Sequence, residues 1–331
     1  MAVRRRKQRR GRSYAWRYRG RIVACVFVEV LIICALVIMV GWNKGVKEWF
    51  EQFEQPVLKE VDISGINSPN AILMQARGGK ILGEINGEAQ IYPASMTKIM
   101  TVILGIENFD DLDEKITLTN EMFTGLYEQD ATQAGFQPGE EVRVIDLLYG
   151  AMLPSGAECC IALADTISGS EADFAELMNK KARKLGMENT HFCDSTGLHN
   201  PDHYSTVKDI AVLMKYCIKN DTFREIVETS RHSTGVTNIH PDGITYYSTM
   251  FKNLSDPTVT GGKILGGKTG YTSEAGHCLV SFAEIEGREY IFVSAGASGA
   301  DGNTIPHIQD AVTVYNRVGA AIEAKMNDNN K

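Results

Sequence analysis

Residues 22–42, IVACVFVEVLIICALVIMVGW, hold 21 residues with a single charged side chain, Glu29. A helix of that length rises about 1.5 Å per residue and crosses roughly 30 Å of hydrocarbon. The run therefore divides the chain before any other feature is read. Ahead of it, residues 1–21 carry ten Lys and Arg and no acid. Of 34 basic and 41 acidic residues in all, 24 and 40 remain from Asn43 onward, a formal charge of −16. Dense positive charge before an apolar run predicts an N-terminus on the cytoplasmic side of the membrane and everything after Trp42 on the outer side. The run is long for the apolar core of a cleaved signal, and residues 37–41 offer no small-x-small cleavage site, so a retained anchor is expected. Glu29, near the inner end, is read as snorkelling toward the interface. A basic tail on an acidic body does not make a nucleic-acid-binding surface, and no nucleic-acid partner is expected.

The expected organisation is a basic cytoplasmic tail (1–21), an anchor (22–42), a polar stem with scattered aromatics (43–68) and one large domain (69–325). Within the domain, NAILMQARGGKILGEINGEAQIY gives two short apolar strands around Gly78-Gly79, a hairpin signal. After Pro93 the spacing turns helical, with Ile99, Ile103 and Ile106 on one side. VIDLLYGAMLPSGAECCIALADTI and EADFAELMNKKARKLG read as helices, the second ending at Gly186. HCLVSFAEIEGREYIFVSAGA is a hairpin turning near Gly287, and TIPHIQDAVTVYNRVGAAIEAK a closing amphipathic helix. Strands at both ends with helices between predict an α/β (α+β) fold: an antiparallel sheet flanked by helices, with an all-helical subdomain. Of seven cysteines, five lie beyond the anchor. That number is odd, no Cys-x-x-Cys spacing occurs, and they are read as small buried residues.

Three polar features stand in order: Ser95-Met-Thr-Lys98, Ser155-Gly-Ala157 and Lys268-Thr-Gly270. Ser-x-x-Lys alone is weak evidence, expected about once by chance in a chain this long. It occurs again as Ser205-Thr-Val-Lys208, which lies after the second feature and so fails the order. Lys-Thr-Gly is expected roughly 0.1 times and stands once, just before the last hairpin. Ser68-Pro-Asn70 precedes the serine-lysine pair and also fails. A serine hydroxyl is a poor nucleophile until a base takes its proton. Lys98, three residues on, shares its helix face. To act as that base it must be neutral, and burial together with the nearby Lys268 cation would lower its pKa.

Residues ~69–320 resemble the low-molecular-weight penicillin-binding proteins, the serine D-alanyl-D-alanine carboxypeptidases. The phrases that carry the resemblance are YPASMTKIMT, LLYGAMLPSGAE, ARKLGMENTHFCDSTGL, DHYSTVKDIA and GGKTGYT. It implies a β-lactamase/transpeptidase-like fold, peptidoglycan stem peptides as substrate, covalent inhibition by β-lactams, and no metal or organic cofactor. By the same resemblance Ser95, Lys98 and Ser155 are catalytic, Ser155 returning the proton to the leaving D-alanine. Lys268 and Thr269, on an edge strand, would hold the substrate carboxylate. Gly270 would leave room for substrate, and the N–H groups of Ser95 and Tyr271 would form an oxyanion hole. Ala157 departs from the family, whose middle motif usually ends in Asn. Glu158 is about 100° further around the helix and is no obvious replacement.

Other readings are weaker. A β-lactamase of class A type needs a Glu-x-x-x-Asn, and Glu176-Leu-Met-Asn179 is one residue short. A zinc peptidase would need His199 and His203 on one helix face, against Pro201 between them. They read better as loop histidines near a substrate groove. A β-lactam or muropeptide sensor without turnover draws its support from Ala157. A D,D-endopeptidase would share every motif.

Overall fold

The computed structural model describes residues 58–299 and 305–329, together with Val30 alone. Met1–Pro56 and Val57–Lys331 form separate units. The basic tail, the apolar run apart from Val30, and most of the expected stem lie outside the described residues. Among the described residues no helix is long and apolar enough to cross a membrane.

A hairpin opens the domain, β1 (Asn70–Gln75) and β2 (Ile81–Ile85), with Gly78 and Gly79 at positive φ in its turn. A single 3-10 turn, Ala94–Thr97, runs into α1 (Lys98–Asn108). Two three-residue strands, β3 (Lys115–Thr117) and β4 (Glu141–Arg143), pair with each other and lead into α2 (Val144–Met152). Then come α3 (Ala157–Ser168), α4 (Glu171–Leu185), α5 (Val207–Cys217) and α6 (Asp221–Glu228). A second small hairpin, β5 (Arg231–Ser233) and β6 (Thr245–Tyr247), is followed by α7 (Thr249–Asn253). The chain returns to the sheet through β7 (Thr258–Val259), β8 (Gly262–Thr272), β9 (Gly276–Ile285) and β10 (Arg288–Ala297), and closes with α8 (Pro306–Asn329).

The main sheet runs β2-β1-β10-β9-β8-β7, every neighbouring pair antiparallel. Successive side chains of a strand point to opposite faces, so each strand feeds two cores. Ile72, Val280, Phe282 and Val293 join the core shared with the helical half. Leu73, Leu279, Phe292 and Tyr290 face α8 and pack on Val314, Tyr315 and Val318. Tyr315 reaches into the sheet, where its hydroxyl accepts the Phe292 N–H at 3.0 Å. The fold is thus the expected antiparallel sheet between helices, with an all-helical half.

Two differences have physical reasons. The stretch 144–167, read as helical throughout, breaks between Leu153 and Gly156. Pro154 cannot continue the helical ladder, and Ser155 sits at φ 74°, a left-handed backbone that serine rarely takes. The last part of the stretch read as stem is packed: Leu58, Val61 and Ile63 are buried in the α8-facing core, and the Val61 N–H donates to the Leu82 carbonyl at 2.7 Å. Elsewhere the end signals hold. The Ser170 side chain caps α4 by accepting the Asp173 N–H, and Gly186 ends it at φ 80°.

Candidate active site

The 3-10 turn carrying Ser95 is wedged between β8 and the Asp194–Leu198 loop. A Cβ on Gly270 would lie 3.0 Å from the Ser95 nitrogen and 3.1 Å from the Ala94 Cβ, so glycine lets β8 touch the turn. On the other side a Cβ on Gly197 would lie 1.9 Å from the Ala94 oxygen. Ala94 itself is held at φ 45°, a strained conformation for a residue with a Cβ. Gly270 therefore makes room for the nucleophile turn, and it also lines the cleft.

Lys98 opens α1 and is 3% exposed. Its Nζ lies 3.0 Å from Ser95 Oγ and donates to the Thr196 carbonyl at 2.8 Å. Burial lowers its pKa, opposed by Cys160, Asp194 and Glu158 around it. Lys268, on β8 and 1% exposed, donates to Ser155 Oγ at 3.0 Å and to the Thr269 carbonyl at 2.9 Å. Its pKa lies well below the ordinary lysine value, through burial first and the Lys98 charge second. The repulsion between the two ammonium groups is mutual and adds to burial in lowering the pair. Two ammonium groups buried this close titrate as a pair, and the pair sheds its first proton below the usual lysine range.

Ser95, Ser155, Thr269, Gly270 and Tyr271 line one cleft of about 650 Å³. Thr269 Oγ1 is 2.7 Å from Thr249 Oγ1 on α7. Tyr271 is 61% exposed at the cleft edge. Ala157 is buried at the start of α3, where its N–H donates to the Thr132 carbonyl at 2.8 Å. Glu158 does not replace the missing amide. Its Oε1 accepts the N–H groups of Ala134 and Gly135 at 2.6 and 2.9 Å, and its buried Oε2 has no partner. The expectation of an edge strand holds in part. β7 covers only Gly262 and Lys263 of β8, so from Leu265 to Thr272 that side of the strand pairs with no other strand among the described residues.

The sequence reading missed the support beneath the pair. Asp194 Oδ1 accepts the N–H groups of Thr196 and Gly197, each at 2.7 Å, and so fixes the carbonyl that binds Lys98. Burial alone would raise its pKa. The hydrogen bond and charge of His203, with bonds from Thr196 and Gly197, instead hold it at about 2. His203 bridges Asp194, Nδ1 to Oδ2 at 3.2 Å, and Thr97, Nε2 to Oγ1 at 2.9 Å. It is a buried brace and not a groove histidine, whereas His199 does line the cleft. Neither histidine lies on a helix. Ser205 and Lys208 stand apart from the cleft, Ser205 on Thr190 and Lys208 on Glu88. Asn179 is structural, exchanging bonds of 2.8 Å with the Phe192 backbone, and Glu176 is exposed. Cys159, Cys160, Cys217 and Cys278 are buried free thiols, as read, and Cys193 is half-buried.

A family model described as D-alanyl-D-alanine carboxypeptidase matches residues 57–299. The chain is 35% identical over 233 residues to the D-alanyl-D-alanine carboxypeptidase DacF of Bacillus subtilis (strain 168), spanning 69% of this chain and 57% of that one. It is 33% identical to DacC of Escherichia coli (strain K12), spanning 72% of this chain and 58% of that one. These matches cover less than two thirds of either relative. A D-alanyl-D-alanine carboxypeptidase of Streptomyces sp. (strain K15) is 35% identical over 69% of this chain and 78% of its own. The crystal structure of the Streptomyces K15 DD-transpeptidase superposes with a TM-score of 0.69 at 29% identity, covering 79% of this chain and all of that one. With a serine-lysine turn, a second serine-lysine contact across the cleft and this match over most of its length, the chain belongs to the D-alanyl-D-alanine carboxypeptidase family.

Proposed function

We propose that the protein is a serine D-alanyl-D-alanine carboxypeptidase that removes the terminal D-alanine of peptidoglycan pentapeptides. The observation that carries the reading is the convergence of two serine-lysine contacts, each 3.0 Å, on one cleft. A neutral Lys98 amine can donate to the Thr196 carbonyl and keep its lone pair for the Ser95 proton. Ser95 Oγ then attacks the carbonyl carbon of the penultimate D-alanine. The N–H groups of Ser95 and Tyr271 receive the developing oxyanion, a contribution of about 3 kcal/mol per donor in such sites. The C–N bond breaks as the proton passes through Ser155 to the leaving amine. Water hydrolyses the acyl-Ser95 ester, and the proton returns by the same lysine. Lys268 and Thr269 receive the substrate carboxylate. β-Lactams would form the same ester and stay on it.

By the charge reading, residues 1–21 stay in the cytoplasm, residues 22–42 span the membrane and the domain faces outward. The test uses full-length protein and a peptide ending in D-Ala-D-Ala, with a fluorescent penicillin in parallel. D-Alanine release and labelling should both disappear in Ser95→Ala. Well-folded protein giving neither signal would remove the catalytic reading. The Streptomyces K15 structure bears the name DD-transpeptidase, which supports a second reading, transfer of the acyl group to an amine in place of water. Product analysis with an added D-amino acid acceptor separates the two. Removal of residues 1–42 should leave release intact and move the protein out of the membrane fraction.

A further inference from the structure

Residues 124–140, between the 3-10 turn Asn120–Phe123 and β4, contain neither helix nor strand. So long an irregular stretch is uncommon in a compact domain unless it binds something. Three of its residues, Gln129, Asp130 and Thr132, are exposed and line the cleft. None of these side chains hydrogen-bonds to another described residue. The stretch is fastened at the start of α3. There the Ala157 N–H donates to the Thr132 carbonyl at 2.8 Å, and Glu158 Oε1 accepts the Ala134 and Gly135 N–H groups at 2.6 and 2.9 Å. Gly156 permits the approach, since a Cβ there would lie 2.7 Å from the Ala134 Cβ and 3.0 Å from the Ala134 nitrogen. Glu158 is 0% exposed, and its Oε2 has no hydrogen-bond partner among the described residues. Burial pushes its pKa up. A buried carboxyl oxygen left unpaired costs stability, so packing alone does not account for an acid at this position.

We infer that Glu158 is a positioning residue for substrate: through Ala134 and Gly135 it holds the Gln129–Thr132 wall against the part of the peptide upstream of the scissile bond. The inference rests on the carboxypeptidase reading for its ligand, a peptide ending in D-Ala-D-Ala. Elimination places the contact upstream. The leaving D-alanine and its carboxylate belong to Ser155, Lys268 and Thr269, and the reacting carbonyl to Ser95 and Tyr271. A cleft of about 650 Å³ takes ligands larger than two alanines. The wall offers the rest of the peptide an amide, a carboxylate and a hydroxyl, which together bond both N–H and C=O groups. Fixing the wall beforehand spares the cost of ordering it when the peptide arrives. Its effect falls on affinity for longer peptides and not on bond breaking, because the Ser95 turn is held separately by β8 and the Asp194–Leu198 loop.

The experiment measures, by calorimetry, the affinity of full-length Ser95→Ala protein for two ligands. One is a stem pentapeptide ending in D-Ala-D-Ala, the other N-acetyl-D-Ala-D-Ala. Adding Glu158→Met, which fills similar space without an acceptor, should weaken the pentapeptide about tenfold, the worth of one or two hydrogen bonds. The dipeptide should bind as before. Glu158→Gln keeps the Oε1 acceptor and should bind both ligands as the Ser95→Ala protein does. Gln129→Ala with Thr132→Ala should give the same selective loss. Adding Glu158→Met to that pair should cost nothing more, since all three act through one wall. If Glu158→Met does not fold, Glu158→Asp, one methylene short of the two N–H groups, takes its place with the same expectation. An equal loss for both ligands, additive losses, no rescue by glutamine, an unchanged pentapeptide affinity, or no pentapeptide binding would each overturn the inference. Failure of the unsubstituted protein to release D-alanine, with Glu158-dependent binding intact, would remove only the carboxypeptidase reading.

Discussion

Ala157 is the residue where chemistry and family part. Without a side-chain amide at that position, Lys98 has Ser95 Oγ and the Thr196 carbonyl as its hydrogen-bond partners among the described residues. Restoring the amide in Ala157→Asn should raise the rate of β-lactam acylation about tenfold, the equivalent of ~1.4 kcal/mol. Stopped-flow labelling gives that rate, and an unchanged value would mean that the two present contacts already position the lysine. Asp194 is the second residue with a measurable load. Its pKa of about 2 lies below the ordinary ~3.9, so the unfolded chain binds the more protons between those values. The stability it contributes is present above pH ~3.9 and is lost as pH falls through about 2. Asp194→Asn should cost on the order of 2 kcal/mol at pH 7 in urea unfolding and much less near pH 2. A deficit that does not shrink with acid would count against the assignment. These residues also mark the limit of sequence reading. Ser95, Lys98, Ser155 and Lys268 were legible because their side chains form ordered motifs. The Thr196 carbonyl was not, because a backbone acceptor leaves no mark in composition. His203 meets Thr97 from 106 positions away, a proximity only the folded chain creates.

At the scale of elements, the long strands and helices were readable from periodicity and end signals, as with α4 between Ser170 and Gly186. The pairs β3–β4 and β5–β6 were not, since three-residue strands give too few alternations to register. Nor could periodicity show that β8 presses against the Ser95 turn through Gly270. That contact carries a prediction. A methyl at Gly270 would lie 3.0 Å from the Ser95 nitrogen and 3.2 Å from the Pro93 oxygen, forcing strand and turn apart by a few tenths of an ångström. Misplacement of a reacting group on that scale is expensive. Gly270→Ala should slow acylation about 100-fold with little change in melting temperature. A large loss of melting temperature would show instead that the contact matters mainly to folding.

For the molecule as a whole, the two buried lysines set function against stability. Their pKa values are depressed, by burial first in both. Between those values and the ordinary ~10.4 the unfolded chain binds more protons, so stability rises with pH across that window. Below it, folding must bury charge. Lys268→Met should therefore melt higher than the natural protein at pH 7 while losing D-alanine release, a trade seen where sites are strained for activity. A lower melting point would mean that the Ser155 and Thr269 contacts outweigh the burial of charge.

The short β7 strand has a further consequence. Because it stops after two residues, the far side of β8 has no strand partner from Leu265 to Thr272 among the described residues, and the Thr269–Thr272 end of that stretch lines the cleft. An arriving extended peptide can complete the sheet there, as a temporary seventh strand laid beside the nucleophile. The same opening makes the enzyme vulnerable to its own architecture. A β7 longer by four or five residues would occupy that stretch permanently, leaving every reactive atom in place and the protein as well folded as before, yet closed to any substrate.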